Sequence, residues 1–521
     1  MPPVELDALP AIPTLAPVMT CAALGQQDFT SIALAPTSIA SASVEAAQGK
    51  RSEFCLIKGI IAPQIQFELR LPTQGYTGRY LQAGCGGACG VLREHVSPPC
   101  ESRRVFDGSF AVSFENSGHV GADLVDTIWA LHAPQLRRDF AYRAAHVMAI
   151  VAKTLLSAYY GRPPVHSYFI GCSDGGREGL TEAQRYPDDF DGIVVGAPAY
   201  FITQMPLRII WESQHGLDEN DHPVLTEESL SLLHRAVLAA CDALDGLQDG
   251  QIDDPRACHY DPSALVCRPG QTTSCITRTQ SEAMRAYYSG PVDERGRHLY
   301  LGGEPYGSEL TWRQAFSSMG ATLGTHQIRF MIYDGEPPAG FNWRTWKPDA
   351  AALADLFRRG GYYNASNPDL RRFRAAGGKL VIWQGAADSA AGPYALFDYY
   401  QRVRDVVGGF AGSQAFMRVF LIPGVYHCEG GYVPYQEDFL GPVVRWVEQG
   451  IAPESILATA QLPDGAVRRR PVYAYPERTR FRDFRGADIN RPESFTAQPA
   501  RQDIDDHYDW LGAAMTNGPA P

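Results

Sequence analysis

Residues 168–180 read YFIGCSDGGREGL, and this stretch decides the fold. Within it GCSDG, residues 171–175, matches G-x-S-x-G, the pattern of a nucleophile elbow. The elbow needs glycine on both sides of the serine because Cβ atoms would collide in a sharp turn between a strand and a helix. An apolar run precedes Ser173, and a helical pattern follows it over residues 178–186. This context favours a nucleophilic Ser173 over an ordinary glycine-rich turn.

The segments around the elbow predict a parallel sheet with crossover helices. Residues 141–161 carry apolar residues at helical spacing, and residues 192–199, GIVVGAPA, read as a buried strand after the elbow helix. The strand pattern resumes with KLVIWQG at 379–385 and MRVFLIPG at 417–424. We therefore predict an α/β-hydrolase core formed by residues 1–199 and 367–521, interrupted by a helical, aromatic-rich lid domain over residues 200–366.

In an α/β-hydrolase the acid and the histidine follow the serine along the chain, on loops after late strands. His427 follows the predicted strand 417–424, and Asp388 follows the predicted strand 379–385. A serine hydroxyl becomes a good nucleophile when a neutral imidazole takes its proton. A carboxylate then fixes the imidazole tautomer and stabilises the imidazolium. We predict these roles for His427 and Asp388, against the alternative of two ordinary loop residues.

Cysteines stand next to both the serine and the histidine, since Cys172 precedes Ser173 and Cys428 follows His427. If Ser173 and His427 lie within hydrogen-bond reach, their sequence neighbours are forced together. That can bring the two Cα atoms into the range of about 4.4–6.8 Å that a disulfide requires. The sequence thus predicts a Cys172–Cys428 bridge that joins nucleophile and base.

Three blocks of the chain resemble the tannase and feruloyl esterase family. Residues 160–199 resemble its nucleophile block, residues 378–388 its acid block and residues 423–431 its histidine block. The resemblance extends from about Cys21 to Phe495 and implies a serine esterase. Its expected substrates are small-molecule esters of aromatic, phenolic acids: ferulate, gallate or terephthalate half-esters. The resemblance also implies the triad Ser173, Asp388 and His427.

Residues 81–90, LQAGCGGACG, form a second glycine-rich stretch. A nucleotide-binding loop would carry GK[ST] before a helix, and the sequence has neither here. In hydrolases of this type a loop after an early strand supplies one oxyanion N–H, and the residue after the nucleophile supplies the other. We expect Asp174 to be one donor and either Gly86 or Gly87 to be the other.

Residues 241–258, CDALDGLQDGQIDDPRAC, bring several aspartates into one short loop with glycines between them. Such carboxylates repel each other unless a hard cation neutralises them, and oxygen ligands suit Ca²⁺. The alternative is a solvated acidic turn, and the spacing is not that of an EF-hand. The resemblance implies a structural calcium ion in the lid and no organic cofactor. Its ligands would be the carboxylates of Asp242, Asp245 and Asp249 and the carbonyls of Leu247 and Gln251.

The eleven cysteines indicate a disulfide-containing, exported protein. Cys85, Cys89 and Cys100 allow one further bridge and one free thiol, and the sequence does not decide between them. No signal-peptide pattern begins the chain, so we expect the mature sequence of a secreted or periplasmic protein. Besides the Cys172–Cys428 bridge, the resemblance implies the pairs Cys21–Cys55, Cys241–Cys258 and Cys267–Cys275.

Charge and hydropathy exclude several classes of partner. The net charge of −12 disfavours nucleic acid and anionic membranes, which both bind basic surfaces. No apolar run reaches the ~18 residues of a membrane span. Two alternatives to the aromatic-ester hydrolase remain. One is an aliphatic carboxylesterase or peptidase on the same fold, and the other is a non-catalytic binding module with a hydrolase fold.

Overall fold

A nine-stranded sheet forms the centre of the protein in a computed structural model, which describes residues 9–92, 106–123, 125–315, 318–433, 435–462, 465–499 and 505–515. The spatial order of its strands is β1-β2-β3-β5-β4-β6-β7-β8-β9. The strands are β1 (Thr37–Glu45), β2 (Phe54–Ile61), β3 (Ile65–Pro72), β4 (Arg79–Ala83), β5 (Phe110–Glu115), β6 (His166–Cys172), β7 (Gly192–Gly196), β8 (Lys379–Gly385), β9 (Met417–Ile422), β10 (Ser455–Gln461), β11 (Val467–Tyr473), β12 (Arg478–Phe481) and β13 (Phe495–Gln498).

Strands β5, β4, β6, β7, β8 and β9 run parallel, and β1, β2, β3 and β5 are joined by antiparallel pairing. Strands β4 and β7 are buried along their whole length, as expected for parallel strands with both faces covered. The helices are α1 (Cys21–Gly25), α2 (Pro134–Arg138), α3 (Ala144–Tyr160), α4 (Asp174–Arg185), α5 (Met205–Gly216), α6 (Glu227–Cys241), α7 (Arg278–Ser289), α8 (Trp312–Ala315), α9 (Ser318–His326), α10 (Ala350–Gly360), α11 (Arg371–Ala375), α12 (Pro393–Val407), α13 (Gly409–Gln414) and α14 (Leu440–Gln449).

Helices cover both faces of the sheet. Residues of α3, α4 and α12 share one hydrophobic core with β2 and β3, whereas α14 packs in a second core with residues of β8 and β9. This arrangement of helix, sheet and helix is the predicted α/β fold, and because the strands are parallel their carboxyl ends meet at one edge. Residues that follow β6, β8 and β9 are thereby brought together.

The chain leaves the sheet after Gly196 and returns at Lys379, yet β7 and β8 are direct neighbours. The intervening segment contains α5 to α11, and within the described residues it adds no strand to the large sheet. One hydrophobic cluster, around Leu233 and Trp312, belongs to this segment alone, whereas the cluster around Leu353 and Leu356 also includes Ala130 and Phe140 from before β6. The segment between Gly196 and Lys379 is therefore an insertion between two adjacent strands.

Two local features differ from the sequence prediction. Helix α4 begins at Asp174, four residues before the predicted start, because its first turn includes the glycines of the elbow. Strands β10 to β13 form two small antiparallel sheets near the C-terminus that the sequence pattern did not indicate. No helix among the described residues is both long and apolar enough to cross a membrane.

Candidate active site

Ser173 lies at the turn between β6 and α4 with φ 63° and ψ −119°, in the left-handed region that costs a non-glycine residue energy. Its N–H donates to the Gly196 carbonyl at 3.0 Å, which holds the turn against β7. A Cβ on Gly171 would lie 2.3 Å from the Gly175 oxygen. A Cβ on Gly175 would lie 2.9 Å from the Gly84 carbonyl carbon. The glycines of the motif are therefore required by close backbone approach.

Ser173, His427 and Asp388 form a continuous chain of hydrogen bonds. His427 Nε2 lies 2.8 Å from Ser173 Oγ, and His427 Nδ1 lies 2.8 Å from Asp388 Oδ2. Asp388 follows β8 and His427 follows β9, so the edge of the parallel sheet brings the three loops together. The arrangement can move a proton from the serine hydroxyl to an imidazole that a carboxylate orients.

Asp388 is fully buried, and both of its oxygens have donors. Oδ1 accepts from the N–H groups of Ala390 at 2.7 Å and Ala391 at 3.0 Å, and Oδ2 accepts from Gln384 Nε2 at 2.6 Å. Burial by itself raises the pKa of this carboxyl, but His427 and the two N–H donors outweigh it and hold the pKa below the ordinary value. The carboxyl therefore stays ionised at neutral pH.

Arg208, on α5 of the insertion, supports the loop that carries Asp388. Its guanidinium donates to the Ser389 carbonyl at 2.6 Å and also to the Ala390 carbonyl, while Glu304 Oε1 pairs with it at 2.8 Å. These carbonyls belong to the same peptide units as the N–H groups that bind Asp388. Sequence reasoning missed Arg208, because no local pattern distinguishes a buried arginine on an amphipathic helix from an exposed one.

The Cys172–Cys428 disulfide is present, with an S–S distance of 2.12 Å and Cα atoms 6.0 Å apart. It joins the elbow directly to the loop that carries His427. The cysteine pair that the sequence left open is Cys85–Cys89, which closes a loop of a few residues, and Cys100 lies outside the described residues. The other three bridges are those that the resemblance implied: Cys21–Cys55, Cys241–Cys258 and Cys267–Cys275.

Residues 84–90, here called the oxyanion loop, lie directly against the start of α4. The Gly86 and Gly87 N–H groups donate to no other described residue, so both are available to a ligand. The Cys85 N–H is not available, because it donates to Glu178 Oε2 at 3.0 Å. The side chain of Asp174 pairs with Arg177 at 2.5 Å. The backbone N–H of Asp174 lies at the N-terminus of α4, because Asp174 is the first residue of that helix.

Residues 241–258 form a loop, here called the acidic loop, which the Cys241–Cys258 bridge closes. Asp242 Oδ1 accepts the N–H groups of Asp249, Gly250 and Gln251 at 3.1–3.2 Å. Asp245 Oδ1 accepts the Leu247 N–H at 2.8 Å, and Asp249 Oδ2 pairs with Arg470 at 3.0 Å. The loop thus uses its carboxylates on its own backbone and on several arginines, since Arg468 also approaches Asp249 and Asp254 pairs with Arg256 and Arg478.

Whether the acidic loop fits a calcium ion depends on which of its polar atoms have no partner within the protein. Buried oxygens of Asp249, Gln251 and Asp253 have no hydrogen-bond partner, and the carboxyls of Asp245 and Asp253 face each other at hydrogen-bonding distance. Two carboxyls in contact need either a proton or a cation between them. A cavity of about 1020 Å³ bordered by Asp245 and Asp253 opens on this face. The leftover oxygens are of the type that a hard cation binds, but no three carboxylates of the loop place oxygens within 4.8 Å of one another. Asp253 is a candidate ligand that the sequence prediction did not include.

Another group of potential metal ligands lies on α3 and α4. His146, Glu182 and Asp189 place one ligand atom each within 4.8 Å of one another, and no other such group occurs in the part of the chain that the structure describes. His146 Nδ1 lies 2.5 Å from Asp189 Oδ2, and the buried Lys153 ammonium adds a positive charge beside both carboxyls. The hydrogen bond between His146 and Asp189 and the nearby Lys153 ammonium use groups of the protein itself, so we interpret the three residues as an internal polar cluster.

Comparison with known proteins agrees with the fold and the geometry. A family model described as tannase and feruloyl esterase matches residues 53–495. The chain is 30% identical to mono(2-hydroxyethyl) terephthalate hydrolase of Piscinibacter sakaiensis, over 85% of this chain and 84% of that protein. It is 32% identical to a probable feruloyl esterase B-2 of Neosartorya fischeri, with coverage of 75% and 76%. The crystal structure of feruloyl esterase B from Aspergillus oryzae matches with a TM-score of 0.80 and 26% identity, covering 92% of this chain and all of that one.

The fold and the comparisons define the class of the protein, a carboxylic ester hydrolase with an α/β-hydrolase core. Within that class the chain belongs to the tannase and feruloyl esterase family. The fold class, the family and the ester hydrolase activity predicted from the sequence are therefore confirmed.

Proposed function

We propose that this protein hydrolyses esters of aromatic, phenolic acids through an acyl-enzyme formed on Ser173. The observation that carries the proposal is the unbroken hydrogen-bond chain from Ser173 Oγ through His427 to Asp388. In this arrangement Ser173 is the nucleophile, His427 the general base and acid, and Asp388 the carboxylate that orients the imidazole.

The reaction follows from proton transfer along this chain. Ser173 Oγ attacks the ester carbonyl carbon while its proton passes to His427 Nε2, and the carbonyl oxygen becomes an oxyanion. The tetrahedral intermediate collapses, and the C–O bond to the alcohol breaks as His427 returns the proton to the leaving oxygen. A water molecule then gives a proton to His427 and attacks the acyl carbon, and the C–Oγ bond breaks as His427 returns that proton to Ser173 Oγ, which releases the free acid.

The Asp174 N–H and one N–H of the oxyanion loop would stabilise the oxyanion. Asp174 is the first residue of α4, so its N–H group lies at the positive end of the helix dipole. In the oxyanion loop the N–H groups of Gly86, Gly87 and Ala88 have no acceptor among the described residues, and Gly86 and Gly87 are the candidates that the sequence predicted. Donors already fixed in place stabilise the developing charge without reorganisation, a contribution of about 10²–10³ in rate for each donor.

The insertion, residues 200–366, would act as the lid and supply the acyl pocket. It carries an aromatic cluster that includes Phe330, Phe341, Trp343 and Trp346, all partly buried. Aromatic side chains offer flat apolar surface to an aromatic acyl group. This composition favours aromatic acids over aliphatic ones.

In the same proposal the acidic loop holds a structural calcium ion. Asp242, Asp245 and Asp249 would provide carboxylates, Leu247 and Gln251 would provide carbonyls, and Asp253 would be available as a further ligand. The ion would neutralise a loop of the insertion and would take no part in the reaction. The five disulfides among the described residues favour an oxidising compartment, so we place the enzyme in the periplasm or outside the cell.

The test is release of acid from methyl ferulate, methyl gallate, chlorogenate and mono(2-hydroxyethyl) terephthalate. Wild type, Ser173→Ala and Ser43→Ala are compared, since Ser43 is an exposed serine on β1 and serves as the matched control. We expect hydrolysis of at least one ester, lost in Ser173→Ala and kept in Ser43→Ala. A preference for p-nitrophenyl butyrate over all four would favour the aliphatic esterase, and inactivity of the folded protein would favour a binding module.

A further inference from the structure

Glu178 lies one helical turn after Asp174 on α4, and its carboxylate binds two elements outside the helix. Oε2 accepts the backbone N–H of Cys85 at 3.0 Å, in the oxyanion loop. Oε1 accepts the hydroxyl of Ser117 at 2.7 Å, in the loop after β5. The side chain is only 4% exposed, so water cannot replace either bond. Glu178 therefore joins the nucleophile helix to the oxyanion loop inside the protein.

The oxyanion loop approaches α4 too closely to adopt a different position easily. A Cβ on Gly84 would lie 2.7 Å from Glu178 Oε2 and 2.8 Å from the Gly175 Cα. Beyond this contact the Cys85–Cys89 bridge closes the loop, and Gly87 has a φ of +66°. The Cys85 peptide is thus fixed at one end by Glu178 and at the other by a covalent link.

The direction of the Cys85 peptide determines where the next donors lie. Because its N–H is bound to Glu178, this N–H cannot turn toward the nucleophile. The N–H groups of Gly86, Gly87 and Ala88 have no acceptor among the described residues, and those of Gly86 and Gly87 follow Cys85 directly. Without an acceptor at Glu178 the partly buried Cys85 N–H would lose its partner, and the loop would rotate to satisfy it. Such a rotation would move the Gly86 and Gly87 N–H groups with it.

We propose that Glu178 is a positioning residue for the oxyanion hole, which it orients by holding the Cys85 N–H. The inference rests on the proposed function, since it presupposes that the oxyanion loop supplies a donor. Ser117 supports Glu178 from the other side, and its own N–H donates to Glu115 Oε2. Glu178 touches no reacting atom in this account and acts only through the loop.

Substitutions at Glu178 can separate its acceptor from its charge. Burial, followed by the charge of Asp174, raises the pKa of Glu178 to about 7. Both protonation states keep an oxygen that can accept the Cys85 N–H, and so does glutamine. Glu178→Met fills similar space with no acceptor. Glu182→Met is the matched control, because Glu182 is equally buried on the same helix but belongs to the His146–Asp189 cluster.

The experiment measures kcat, KM and the Ki of benzeneboronic acid, whose tetrahedral adduct with a serine carries negative charge in the oxyanion hole. We expect Glu178→Met to lower kcat about 10–100-fold with KM unchanged, which is less than deleting a donor outright. The boronate Ki should rise by the same factor, while the Ki of the aromatic product acid stays constant. Glu178→Gln should remain within about threefold of wild type for every constant, because a single acceptor is enough.

Several results would overturn the proposal. It fails if Glu178→Met keeps its boronate affinity, or if Glu182→Met loses kcat and boronate affinity to the same extent. If Glu178→Met does not fold, Ser117→Ala replaces it, with an expected loss of about two- to fivefold in both kcat and boronate affinity. No loss in Ser117→Ala would then contradict the proposal. Retained hydrolysis in Ser173→Ala would instead reject the proposed function itself.

Discussion

The carboxylate of the triad is fully buried and those of the acidic loop are partly buried, and the two regions differ in how completely the protein satisfies their oxygens. Asp388 has donors on both oxygens, all supplied by the chain itself. In the acidic loop, Asp249 and Asp253 each keep one buried oxygen without a partner, although Arg470 pairs with both residues. The triad is therefore complete without any further group, whereas the acidic loop has polar atoms that only a ligand or protons can satisfy.

The difference indicates what each region needs in order to be stable. A buried polar atom without a partner costs about 1–3 kcal/mol, and more when it is charged. A region that leaves several such atoms is expected to depend on an external cation, and a region that leaves none is expected to be preorganised. Each prediction below tests one side of this contrast.

The largest effect is expected at the satisfied carboxylate. Asp388→Asn keeps the shape of the side chain but removes the charge that fixes the His427 tautomer, and such a change costs about 10⁴ in kcat. The matched control is Asp398→Asn, because Asp398 is also buried and is paired with Arg402, but it lies on α12. Turnover measured on the best ester should fall only in Asp388→Asn. Equal losses in both variants would show that the effect is structural.

The next effect concerns the bridge that joins nucleophile and base. Cys172 and Cys428 are 256 residues apart, and loop entropy predicts a loss of about 5 kcal/mol in the free energy of unfolding for the double alanine variant. Cys267 and Cys275 are 8 residues apart, and the same relation gives about 2–3 kcal/mol for their removal.

Urea denaturation gives both free energies, and kcat is measured on the folded variants. Only the Cys172/Cys428 variant should also lose turnover, by about tenfold, because its bridge holds Ser173 near His427. Unchanged kcat in that variant would mean that the hydrogen bonds alone keep the triad in place.

Calcium should affect stability and leave turnover unchanged. Calcium at about 100 times its Kd is expected to stabilise the folded protein by about 2.7 kcal/mol. Calorimetry with calcium and with EGTA should show this difference in wild type and lose it in the Asp249→Asn/Asp253→Asn variant, while kcat at 25 °C is the same. A melting temperature that does not respond to calcium would contradict the contrast between the two regions.

The smallest effect is expected at Glu437, a buried carboxyl with no hydrogen-bond partner among the described residues. Burial raises its pKa from 4.5 to about 8. A folded-state pKa above the unfolded one gives stability that is present below about pH 4.5 and is lost as the pH rises toward 8. Between pH 4.5 and 6 wild type should lose about 2 kcal/mol relative to Glu437→Gln. The prediction is wrong if denaturation curves give the same change in the free energy of unfolding between the two pH values for wild type and for Glu437→Gln.

Chain order and spacing were enough to predict the α/β core, and they selected Ser173, Asp388 and His427, which the structure brings together. The residues meet because a parallel sheet places the ends of its strands at one edge. Glu178 and Arg208 could not be found in this way, since their roles depend on contacts with distant loops. Asp253 was missed for a related reason: its partner Arg470 lies on β11, in a part of the fold that the sequence pattern did not indicate.

The central claim is that hydrolysis passes through an acyl group on Ser173. Its most direct test is a rapid-quench experiment with p-nitrophenyl ferulate that combines the burst of p-nitrophenolate with mass spectrometry of the intact protein and of its proteolytic peptides. The account predicts a burst of about one equivalent per chain, with feruloyl mass added to the peptide that contains Ser173 and absent in Ser173→Ala. Steady hydrolysis by wild type without any adduct, or an adduct on another residue, would contradict it.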